Sequence, residues 1–225
     1  SLCVSIYFRR LANFIPTCNI DIVVGIVFWE KIKAYFTDNY FQFIYQYLQK
    51  NINLIVDRDI EKWKRLFSEN NLLSLLNDIY RNRLSKKGMI NLQSEILKHD
   101  NWDDYSDTLK LFIAINPVKV KKENNSQTIM KNALSLGTKV LHTYNPYENP
   151  IIDDVILNNL VLKKEFAKHG IEFCNDLKEG FNNFAKNKSS YFKLPEELQI
   201  YLKNINIETD IPTMKMLDIA LFQKI

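Results

Sequence analysis

A helix-rich α/β protein with a β-α-β-α-β-α parallel-strand unit in its second half is the fold predicted for this sequence. Three observations predict it. Apolar runs of strand length lie at 109–116, 138–144 and 171–174, each is followed by a segment of helical pattern, and Gly137 and Gly170 mark two of the helix-to-strand joints. Such alternation is expected of parallel strands joined by right-handed crossovers. The competing reading is an all-α domain, in which each glycine joins two helices and the short apolar runs are helix starts.

At the beginning, LCVSIYF combines β-branched and aromatic residues in the manner of a strand, and CNIDIVVGIVFW suits a strand buried on both faces. Pro16 and Asn19 punctuate the connection between them. The period then changes. Ile32, Tyr35, Phe36, Tyr40, Phe43, Ile44, Tyr47 and Leu48 recur at steps of three and four, which predicts an amphipathic helix over 30–50. INLIVD reads as a short strand over 52–57. Asp57 or Asp59 then caps a helix carrying Trp63, Leu66 and Phe67, and another over 71–84 turns Leu72, Leu75, Leu76, Ile79 and Tyr80 inward. SKKGM interrupts it, and a shorter helix runs to His99.

The second half has a different rhythm. LKLFIAIN reads as a buried strand ending at Asn116-Pro117, and the very polar VKVKKENNSQ as a mobile loop. Ser126 is the expected cap of a helix over 127–136, Gly137 its terminator, and TKVLHTY the second strand. Asn149 and Pro150 suit the N-cap and first position of a helix running to His169, with Gly170 beyond it. Asp153 and Asp154 in its first turns complement the helix dipole, so the acid pair needs no catalytic role. IEFC is the third strand and DLKEGFNNFAKN the helix after it; Pro195 opens a further helix, and a final one spans 211–225. The organisation expected is 1–105, strands plus helices, and 106–225, the βαβ-type segment, together forming two domains or one continuous domain of a longer protein.

Composition narrows the function classes. A chain of 225 residues with 46% hydrophobic residues can bury a sizeable core, and its 14 Phe, 11 Tyr and 3 Trp argue against disorder. The net charge of +4 is mildly basic and not diagnostic of nucleic acid. Cys3, Cys18 and Cys174 are odd in number and widely spaced, which fits reduced thiols in a cytoplasmic protein better than a secreted disulfide framework. The longest apolar run, IDIVVGIVFW, is too short for a membrane span. The chain begins SLCVSIYF, without Met, and reads as a piece of a longer polypeptide or a trimmed chain.

No motif identifies a chemistry or a cofactor. With five glycines there is neither a GxxxxGK[ST] nor a GxGxxG loop, and GxSxG is absent. No CxxC, HExxH or His-x-His spacing is present, so no metal site is expected. His99-Asp100 lacks the further upstream ligands that a phosphohydrolase would need. Cys174, placed before a helix, is expected to be a buried thiol rather than a nucleophile.

What remains is positional. Open parallel sheets bind ligands outside the carboxyl ends of their strands. The three expected strands end at Asn116, Asn145 and Asn175-Asp176, so His142 and Asp176 are the candidate catalytic residues there. Asn116, Tyr144, Asn145, Glu148 and Asn175 are the candidate ligand-binding residues, and a polar, phosphorylated or nucleotide-like ligand is the expected occupant. The alternative is a helix-rich interaction module of a larger protein, meeting a protein partner or nucleic acid through the aromatic helix at 30–50 or through Arg81, Arg83, Lys86 and Lys87. For those four, the bland account is a solvated helix end whose dipole favours cations. Lys119, Lys121 and Lys122 form a further basic patch.

Overall fold

The computed structural model describes residues 30–39, 42, 45–46, 59–69, 71–79, 84–122, 125–160, 162–187 and 192–222. The strands expected before residue 30 and at 52–57, Cys3, Cys18, Arg81, Arg83 and most of 38–50 lie outside the described residues. The protein is helix-rich, and its described strands form one two-stranded antiparallel sheet. Two compact units divide the chain, one of residues 52–145 and the other of 1–51 with 146–225. Among the described residues no helix is long and apolar enough to cross a membrane.

The 52–145 unit holds most of the aromatic packing. With a first helix α1 at 30–37 assigned to the other unit, its elements are α2 (Ile60–Ser68), α3 (Leu72–Ile79), α4 (Lys86–Lys98), α5 (Tyr105–Lys110), β1 (Asn116–Lys122), β2 (Asn125–Lys131) and α6 (Leu134–Tyr144). Asp59 caps α2 by accepting from the Lys62 amide at 3.0 Å, and the spacing of Trp63, Leu66 and Phe67 then buries one face. Asp104 caps α5 in the same way through the Asp107 amide. Trp63, Phe67, Trp102 and Tyr144 form a cluster of rings with centroids 4.9–5.9 Å apart. Offset and edge contacts of this kind add to the burial of apolar area.

The other unit adds α7 (Asp154–Asn159), α8 (Lys163–His169), α9 (Ile171–Asn187), α10 (Glu196–Asn204) and α11 (Thr213–Phe222). Ile32, Tyr35 and Phe36 of α1 share a core with Tyr45, Leu198, Leu202, Ile207, Ile211, Met216 and Ile219. Asp153 itself caps α7, accepting from the amides of Val155 and Ile156, so this helix begins four residues later than Asn149-Pro150 suggests.

The parallel βαβ unit is not formed. Residues 138–144 lie within α6, in which Leu134 and every residue from Leu136 to Tyr144 are buried. A helix buried all round shows no apolar stripe, so over a short window it resembles a two-sided strand. Gly137 does not terminate a helix; it lies inside α6, where a Cβ would come within 2.8 Å of the Phe112 ring and 2.9 Å of Leu109 Cδ2, so the close packing there calls for glycine. Residues 109–115 are the end of α5 and a turn. Gly170 does end α8, at φ 55°, but the chain enters α9 directly, and 171–174 is that helix's first turn. Around Gly170 the all-α alternative describes the chain better.

Residues 127–131, expected to start a helix, are strand β2, and the polar stretch before them is strand as far as Lys122. Thr128 and Ile129 are β-branched and pair with Lys119 and Val118 across the ladder. Val-Lys-Val-Lys alternates with the period of a strand, and the Asn-rich segment that follows suits a hairpin turn.

Candidate nucleic-acid interface

The residues expected on the strand-end rim occupy varied settings, and the sheet that would have gathered them is not formed. Asn116 opens β1. His142 is buried on α6 beside Thr138, Lys139 and Thr143, whose hydroxyl donates to the Lys139 carbonyl. Tyr144 packs its ring 5.3 Å from Trp63 and 5.8 Å from Trp102, within the core. Asn145 is the C-cap of α6, its amide donating to the Leu141 carbonyl. In the other unit, Glu148 is an exposed turn residue whose carbonyl accepts from Asn182, and Asn175 and Asp176 are half-buried on α9.

Asn116 has a different part to play. Its side-chain oxygen accepts from the Ser85 amide at 3.0 Å, and Ser85 is the N-cap of α4, accepting from the Gly88 amide at 3.1 Å. Gly88 allows this approach, since a Cβ there would lie 3.1 Å from Asn116 Oδ1 and 3.3 Å from the Ile115 carbonyl. The start of α4 is thereby fixed to the base of the hairpin. Lys86 and Lys87 of α4 lie on one side of this joint, and Lys131, the ladder partner of Asn116, on the other. Lys119 follows three residues along β1, with Lys121 and Lys122 beyond it, and Glu123 is the sole acid from Asn116 to Lys131. Two basic segments some thirty residues apart in sequence become neighbours.

The electrostatics of these lysines set them apart. In the same unit Lys62 pairs with Asp59, Lys64 with Glu61 and Asp100, Lys98 with Glu95, and Lys110 with Asp107. Lys86, Lys87, Lys119 and Lys131 are exposed and form no ion pair with a described residue. Lys86 and Lys87 also stand at a helix N-terminus with no acid in its first turn, the end at which the dipole disfavours cations. The dipole account of a cationic helix end therefore fails for these two, and their charge adds to that of the helix terminus. The contributions of Asn116 and Lys131 were missed in the sequence because they depend on a pairing register; the alternation across 117–121 was the available signal.

A second polar cluster lies in the other unit. Lys215 Nζ is 2.6 Å from Asp218 Oδ2, with both side chains nearly fully buried, and it sits 5.1 Å from the centre of the Tyr35 ring. Burial pushes the Tyr35 and Tyr45 phenols above their ordinary range, with the nearby Lys215 ammonium opposing the rise. The charges within this cluster neutralise each other, and the contacts join α1 to α11.

Cys174 is fully buried, and burial pushes its thiol up to about 12. The fold thus favours the protonated form, and the stability this contributes is complete below pH 9.0, the ordinary thiol value, and lost as pH rises toward about 12. At pH 9.0, iodoacetamide is expected to leave the Cys174 peptide of the native chain unmodified and to alkylate it in denaturant. Mass spectrometry reads the outcome, and rapid native alkylation would show the thiol to be accessible and ionised.

Among the described residues no three His, Cys, Asp or Glu side chains gather as a metal site requires. Comparison with protein-family models, with curated proteins and with solved structures gives no match.

Proposed function

We propose that the chain is a helix-rich interaction module that binds nucleic acid through the 52–145 unit, on a surface formed by Lys86, Lys87, Lys119 and Lys131. One observation carries the reading: the Asn116–Ser85 hydrogen bond unites two basic segments, of which Lys86, Lys87, Lys119 and Lys131 form no ion pair with a described residue. Lysines paired on a surface are largely neutralised, whereas unpaired ones grouped together attract the phosphate backbone and release its counterions. The modest net charge of the whole chain is no obstacle, because these lysines belong to one unit and have no acid paired with them among the described residues.

Fluorescence anisotropy with a labelled 20-base-pair duplex over a salt series tests this. The logarithm of affinity should fall steeply with the logarithm of salt, by about 0.9 for each phosphate neutralised. Lys86→Gln with Lys87→Gln, and separately Lys119→Gln with Lys131→Gln, should each flatten the slope by about two while circular dichroism stays unchanged. Binding that ignores both salt and these substitutions would overturn the proposal.

A further inference from the structure

The hairpin has the form of an arm. From Gln127 to Lys131 five consecutive residues of β2 are exposed. Successive side chains of a strand point to opposite faces, so both faces of the ribbon are open along this stretch. Ile129 and Met130, side by side in sequence, are exposed on opposite faces. Both outer edges lack a third strand among the described residues. A two-stranded ribbon of this kind is marginal by itself, yet its base is held firmly. The Ala114 amide donates to Asn132 Oδ1 at 2.9 Å, the Ala133 amide to the Phe112 carbonyl at 2.7 Å, and the Ser85 amide to Asn116.

Resting on the nucleic-acid reading above, we infer that this arm enters the major groove of double-stranded DNA. A B-form major groove, about 12 Å wide, admits a two-stranded β-ribbon, and each strand here is seven residues long. The major groove of duplex RNA is deep and narrow and excludes such an element. Single strands are held chiefly by stacking bases on aromatic rings, and no Phe, Tyr, Trp or His occurs from Ile113 to Leu141. The exposed side chains suit a groove instead. With one face turned to the bases, Gln127 can bond a base edge and Ile129 can pack on a thymine methyl, while Lys119, on the opposite face, can reach a flanking phosphate. Lysine at open strand edges also discourages pairing with a partner's strand, which disfavours protein docking by strand addition.

The full chain should be titrated against a 20-base-pair DNA duplex, the RNA duplex and the DNA single strand of the same sequence, and poly-glutamate. In parallel, protection of guanine N7 from dimethyl sulfate is read on the DNA duplex, which needs no variant and reports on the major groove alone. The expected result is DNA duplex binding at least tenfold tighter than either the RNA duplex or the single strand, with N7 protection. Gln127→Ala, at an exposed position of the ribbon, should remove most of the N7 protection. Equal binding of DNA and RNA duplexes, tighter binding of the single strand, or no N7 protection overturns the groove inference and leaves nucleic-acid binding standing. Binding of poly-glutamate as tightly as any nucleic acid, or no nucleic-acid binding, overturns both.

Discussion

Replacing Asp218 with Ala is expected to destabilise the protein by about 3–5 kcal/mol, the usual cost of leaving one partner of a buried ion pair alone. Lys215 and Asp218 are both nearly excluded from water, with the carboxylate 2.6 Å from the ammonium. The Tyr35 ring beneath Lys215 attracts a cation but brings no compensating charge. The effect belongs to the broken pair and not to the pair itself. Exchanging both residues at once, Lys215→Met with Asp218→Leu, should restore most of the lost stability, because apolar side chains of similar volume often replace a buried pair without loss. Urea unfolding of the two variants separates these outcomes. A neutral Asp218→Ala, or a double variant as damaged as the single one, would show that the pair is solvated.

Trp102→Ala should be as severe, at about 3–5 kcal/mol, with the loss located in the 52–145 unit. Trp102 is almost fully buried and meets four rings: Trp63 and His99 at 5.3 Å, Tyr144 at 5.8 Å and Phe67 at 5.9 Å. Its indole N–H donates to the His99 carbonyl at 3.0 Å, which ties the end of α4 to the turn before α5. Truncation removes the transfer energy of the indole and leaves a cavity whose walls come from α2, α6 and the turn, elements that cannot collapse together without moving the backbone. For a unit of this size the melting temperature should drop by on the order of 20 °C. Trp102→Phe keeps much of the ring contact but loses the hydrogen bond, and it should fall between the two. A change of only a few degrees for Trp102→Ala would mean that the cluster does not carry this unit's core.

The helices that were legible in the sequence are those with one wet face and a recognisable cap. Asp59 before Trp63, Leu66 and Phe67, and Pro195 before α10, each combine a start signal with a burial pattern. α6 was hidden by its own burial, since Leu136 to Tyr144 present no polar face to mark a period. At α9 the spacing of Phe173, Leu177, Phe181 and Phe184 does extend back through the expected strand, but IEFC alone is too short to reveal it. The hairpin was obscured because its polar composition resembles that of a loop, although its alternation is that of a strand. The candidate surface was legible only in pieces. Lys86 and Lys87 stand out as residue types, while the joint that sets them beside Lys131 rests on one Asn side chain bonded to a backbone amide 31 residues away.

Lysine acetylation read by mass spectrometry, with and without a 20-base-pair DNA duplex, tests the central claim most directly, because it reports which surface is covered. The account predicts that bound DNA shields Lys86, Lys87, Lys119 and Lys131 while Lys98 and Lys110, exposed on the same unit but paired with acids, react unchanged. Equal shielding of Lys98 and Lys110, or full reactivity at the four interface lysines in a saturated complex, would contradict it.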